Sequence, residues 1–192
     1  MAENNQVFRM LTPTIRSLSD LVNKLDRELW RAFHHRHLSH KADHFYNFCV
    51  TALAVKDHFF EAKGITESAK KEPYHQLWNG IPELVAVTEV ANSAKHFVLR
   101  EPKLPRALRT PKTKSVSPST SGIVHVFSNA DGDYKLEHEP DAPDYSVELS
   151  DGRKQGLYEF MDATFKYWQT FLAGEGISLV RQSTAELHGT ET

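Results

Sequence analysis

The chain has 192 residues, 40% hydrophobic and 25% charged, with a formal net charge of -2. That length supports one domain with a sizeable core, and the near-neutral balance gives no global electrostatic drive toward nucleic acid or an anionic membrane. The single cysteine, Cys49, excludes an internal disulfide framework and fits a reducing compartment. The opening MAENNQVFRM lacks the apolar run of a secretory leader. No apolar stretch approaches the roughly 20 residues that span a bilayer. A cytoplasmic protein without membrane contact is expected.

Leu18, Leu21, Val22, Leu25, Leu29 and Phe33 recur at helical spacing and predict a first helix over 17–33. HHRHLSH (34–40) breaks the pattern. Its four histidines have no carboxylate or cysteine at a ligand spacing, so it reads as a solvated turn rather than a metal site. A second helix over 41–62 carries Phe45, Phe48, Cys49, Ala52, Phe59 and Phe60 on a broad apolar face, with Gly64 as its stop. Beside that face lie His44, Asn47, Thr51 and His58, a polar strip placed where a bundle meets solvent or a partner.

An irregular stretch with Pro73, Tyr74, Trp78 and Gly80 is expected next. Pro82 then suits the first turn of a third helix, where its missing donor would be unpaired anyway. Leu84, Val87, Ala91, Ala94 and Val98 form its apolar stripe, and the small alanines admit a close neighbour. From 101 to 122 four prolines, a Ser/Thr-rich end and the cations Lys103, Arg106, Arg109, Lys112 and Lys114 predict a mobile basic linker. Arg106, Arg109 and Lys112 are its candidate phosphate contacts.

Beyond the linker the period becomes two. IVHVF (123–127), YKLEH (134–138) and YSVEL (145–149) read as strands, with NADGD and SDG as turns, and a fourth strand covers 154–157. A closing helix over 157–173 bears Phe160, Thr164, Tyr167, Trp168, Phe171 and Leu172. The tail 181–192 has no packing pattern. The fold expected is α+β, mainly α. Residues 1–100 and 157–180 make a four-helix-bundle-like core, and 123–156 is a small antiparallel β-sheet inserted between the third and fourth expected helices.

No phosphate loop, dinucleotide fingerprint, HExxH, CxxC pair or GxSxG is present, and no cofactor or metal is expected. The remaining candidate is EVANSAKHFVL (89–99), where Glu89, Asn92 and His96 fall on one side of a helix. Histidine is the natural general acid or base near neutral pH. Asn92 could orient His96 or hold a phosphate oxygen, Lys95 could stabilise a developing phosphorane, and Glu89 could serve as a partner base. Those parts suffice for metal-independent RNA cleavage in which the ribose 2′-OH attacks its own phosphate. The same stripe also reads as the wet side of an ordinary amphipathic helix.

The Ala91-Asn92-Ser93-Ala94-Lys95-His96 segment resembles the helix motif of the HEPN superfamily: arginine, a polar residue, three spacers and histidine. The resemblance implies a helical bundle and, in active members, RNA cleavage. It departs at the arginine, whose place Ala91 takes, and lysine offers a point charge rather than a planar fork. The chain also looks similar to uncharacterised bacterial proteins with an NFC…Ala-Asn-x-x-Lys-His pattern. Two functions follow. One is an interaction or regulatory module of a defence or toxin–antitoxin kind, with a protein partner and with a homodimer seam at Ala91 and Ala94 as one arrangement. The other is a HEPN-like RNase using His96, Asn92 and Lys95.

Overall fold

The computed structural model describes residues 15–96, 100–101, 104–108, 110–128 and 134–179. Five helices are present among them: α1 (Leu18–His34), α2 (Leu38–Ala62), α3 (Ser68–Asn79), α4 (Pro82–His96) and α5 (Leu157–Gly174). The strands β1 (Arg100–Glu101), β2 (Leu104–Leu108), β3 (Ser115–Ser128), β4 (Tyr134–Glu148) and β5 (Lys154–Gly156) lie between α4 and α5. The chain is thus α+β and mainly α, with a small antiparallel sheet set into a bundle. No helix among the described residues is long and apolar enough to cross a membrane.

Ser17 starts α1 by accepting the Asp20 N–H at 3.2 Å, while Asp20 accepts the Arg16 N–H at 2.9 Å. The expected stripe, Leu18, Leu21, Val22, Leu25 and Leu29, is buried. Helix α2 packs against α1, α4 and α5 through Phe45, Phe48, Cys49, Ala52, Val55 and Phe59. Gly64, at φ +63°, ends α2 with two bonds that satisfy its last carbonyls: Ile65 N–H to Phe60 O at 2.8 Å and Gly64 N–H to Glu61 O at 3.0 Å. Helix α5 ends the same way, but two residues past Gly174, with Gly176 at φ +75° and the Ile177 N–H on Leu172 O at 2.9 Å.

Three expectations are corrected. The stretch around Pro73 is a helix, α3, although Pro73 stands inside it. The compensation is aromatic. Tyr74 and Trp78, one turn apart, pack on Phe59 (5.0 and 6.0 Å between centroids), and Trp78 is fully buried. That burial outweighs the one ladder bond proline removes.

The segment 101–122, expected as an irregular linker, holds β1, β2 and the first half of β3. Its serines alternate with Val116, Pro118 and Thr120, which point outward. Ser117 and Ser119 are half-buried and face the buried Ser146 and Asp144 across the ladder. Composition suggested a loop, but strict alternation at a polar boundary makes a strand.

The strands expected over 134–138 and 145–149 are one continuous β4. It pairs antiparallel with β3 from Ser115↔Glu148 to Ser128↔Tyr134, and the register shifts between Ser121 and Ile123. The shift leaves one extra residue on β4 beside Pro140 and Asp141, so proline sits where the ladder asks for no donor. Gly152, at φ +88°, turns β4 into β5. The expected NADGD turn and the tail lie outside the described residues.

Trp168 is fully buried on α5, 5.5 Å from Trp78 across the helix junction. Trp168→Ala should cost about 3–5 kcal/mol. Leu77→Ala, half exposed on α3, should cost under about 1 kcal/mol. Denaturant unfolding of both variants checks the contrast.

Candidate functional site

Helix α4 carries the stripe that drew attention, and Glu89 occupies its centre at 4% exposure. Its two oxygens accept the backbone N–H of Lys112 (3.0 Å) and Thr113 (2.8 Å). The carboxylate therefore fastens the strand entry before β3 to the bundle. Two donors that no strand or helix satisfies are paired by one buried anion. The sequence placed Glu89 as a partner base for His96. The structure gives its carboxylate two backbone partners, and the His96 side chain lies outside the described residues.

Asn92 is half-buried one turn on, and Lys95 and His96 complete the last turn of α4. The side chains of Lys95 and His96, and that of Arg106 in β2, lie outside the described residues, as does Arg109. Lys112 is exposed, and its backbone N–H is the group that meets Glu89.

The strip on α2 resolves into separate local roles. His44 Nδ1 lies 2.8 Å from Glu28 Oε2 on α1. Thr51 Oγ1 donates to the Asn47 carbonyl at 2.7 Å and accepts from Lys24 Nζ at 2.7 Å. The Asn47 side chain is on an exposed residue, and His58 Nδ1 turns back to the Ala54 carbonyl at 3.0 Å. His44 thus faces α1, and His58 bonds within its own helix.

Sequence reasoning missed the polar groups that the bundle encloses. Glu28, 4% exposed, gathers Lys24 (3.3 Å), Arg31 (3.2 Å) and His44 between α1 and α2. Burial pushes its carboxyl up, but the His44 contact and the charges of Lys24 and Arg31 outweigh that and hold it below the ordinary glutamate value. Lys41 pairs with Asp144 of β4 at 3.3 Å, both buried, beside a cavity of about 20 Å³ lined by Leu29, Ile123 and Met161. That space fits about one water molecule. Lys56 donates to Thr88 on α4 at 3.0 Å and lies 5.6 Å over the Trp78 ring, where burial lowers its ammonium to about 8. A charged residue one turn from an apolar one on the same face was the available signal for each.

A different feature faces solvent. Trp30 (41% exposed) on α1 stacks on His34 at 4.7 Å and 4°, Phe33 lies 5.2 Å from His34, and Tyr158 (47% exposed) on α5 lies 5.0 Å from Phe33. No group of three or more His, Cys, Asp or Glu among the described residues is arranged to hold a metal ion. Against known proteins, the chain matches no family model, no curated protein and no solved structure.

Glu89→Ala leaves two backbone donors without their anion and should cost about 2–4 kcal/mol, whereas Glu89→Gln keeps one acceptor and should cost roughly half of that. Asn92→Ala should cost less than about 1 kcal/mol. Equal effects of Glu89→Ala and Asn92→Ala in denaturant unfolding would remove Glu89 from this fastening role.

Proposed function

We propose that this protein is an interaction or regulatory module that binds a protein partner through the bundle face made by α1 and α5. The observation that carries this reading is the row of rings Trp30, His34, Phe33 and Tyr158, in which Trp30 and Tyr158 face solvent. Tryptophan and tyrosine are among the residue types that dominate binding energy at protein interfaces, because they bury large area at little rotamer cost. Two of these rings remain near half exposed although the chain buries two other tryptophans completely. Solubility alone gives no reason to leave them there.

The alternative is a HEPN-like RNase built on Asn92, Lys95 and His96. It rests on their shared position in the last turns of α4. Its remaining candidate, Glu89, also holds the backbone N–H groups of Lys112 and Thr113.

In native extract the wild-type chain should sediment in a complex larger than its own mass. Combined Trp30→Ala and Tyr158→Ala should return it to the free form with a melting temperature lowered by only a few degrees. Purified wild-type protein should leave bulk RNA intact. RNA degradation that His96→Ala abolishes would instead establish the nuclease.

A further inference from the structure

The corner between α1 and α2 concentrates imidazoles: five histidines lie between positions 34 and 44. His35 sits between two stacked neighbours, 5.0 Å from His40 at 15° and 5.1 Å from His44 at 16°. His37 lies 5.9 Å from His40, and His34 stacks on Trp30. Rings packed face to face in this way attract one another when neutral. They repel when each carries a proton.

Few anions are at hand to absorb such charge. Glu28 on α1 faces His44 but already serves Lys24 and Arg31. Asp144 on β4 is committed to Lys41, which follows His40 on α2. Arg36 adds a further cation within the corner, and Asp43 is an exposed carboxylate on the first turns of α2.

We propose that the α1–α2 corner is a proton-operated hinge, in which the neutral His35–His40–His44 stack closes α1 onto the start of α2 and imidazolium repulsion on acidification opens it. His35 is the central member. Burial first, then the charges of His44, His40 and His37, holds it below the ordinary histidine value.

A group with a depressed value in the closed state takes its proton more readily when the corner is open. The stabilisation is therefore complete above the ordinary histidine value and is lost as pH falls through it toward the value of the closed state. Glu28 is lowered as well, but relative to glutamate, so its own loss begins at more acidic pH. Lys56 completes its change near 8, above the window. The histidines therefore control the interval between.

Protonated His44 donates to the Glu28 carboxylate and strengthens that contact. The opening accordingly occurs at His35, His37 and His40, with the Glu28–His44 contact as its pivot. Lys41, clamped to Asp144, keeps the next turn of α2 on the sheet. The hinge is a property of the isolated chain and does not depend on the partner-binding reading.

The test is denaturant unfolding of wild type, His35→Gln and His40→Gln at about pH 7.5 and about pH 5.5, an interval that brackets histidine titration. The unfolding equilibrium constant of wild type should rise severalfold on acidification, and the rise should shrink in each variant. Imidazole resonances followed by NMR should show His35 taking its proton below the ordinary histidine value. Amide exchange, corrected for its intrinsic pH dependence, should quicken over 35–40 while α4 stays protected. An equal rise in wild type and both variants, or His35 titrating at the ordinary value, would overturn the proposal. If His35→Gln fails to fold, His40→Gln and the wild-type titration decide the matter.

Discussion

The junction of aromatic rings where α2, α3 and α5 meet is the contact on which the rest of the bundle depends. Phe59 touches Phe60, Tyr74, Trp78 and Phe171, and Trp78 touches Trp168 and Phe171, with ring centroids 5.0–6.0 Å apart. Most of these pairs are edge-to-face, the arrangement in which ring quadrupoles attract, so they add to the area they remove from water. The junction joins segments more than a hundred positions apart. It holds α3 in helical form across Pro73, and it seats α5 after the chain has made its excursion through the sheet. Without it the inserted strands would separate α5 from the helices it completes.

Onto this apolar frame the sheet is held by polar contacts. Glu89 binds the backbone at the entry to β3, Lys41 binds Asp144 in the middle of β4, and Glu83 accepts from both Arg153 (3.0 Å) and Gln155 (3.1 Å) around β5. Each strand of the three-stranded sheet therefore has its own polar tie to a helix. Buried ion pairs repay little more than their desolvation. What they supply here is position. A one-residue slip of β4 would take Asp144 away from Lys41 and turn Val147, fully buried, to the opposite side.

These two kinds of contact explain what could be read in advance. Helices α1, α2 and α5 were legible because Leu18 to Leu29, Phe45 to Phe60 and Phe160 to Leu172 repeat at the helical period over several turns. Gly64 and Pro82 marked a stop and a start. Helix α3 was illegible because its stabilisation comes from Phe59 and Phe60 on another helix, while its own sequence shows a proline. The first half of β3 was illegible because its half-buried side is made of serines, which pair with Asp144 and Ser146 of a distant strand and carry no apolar alternation of their own. The same blindness applied to the site. Glu89 and His44 were noticed for their chemistry and spacing, yet their partners, the Lys112 and Thr113 amides and Glu28, are distant in sequence.

The polar groups now separate into two populations. Glu89, Lys56 and Asp144 are enclosed, each with a partner across an element boundary, and they specify how helices and strands meet. Trp30, His34, His40 and Tyr158 lie toward solvent at one end of the bundle, where α1 ends and α5 begins. The histidine stack and the aromatic row share that end through His34 and His35, consecutive residues that close α1 and open the corner. A change in charge at His35 therefore acts one residue from the ring on which Trp30 stacks, so protonation and partner binding would compete for the same turn of backbone.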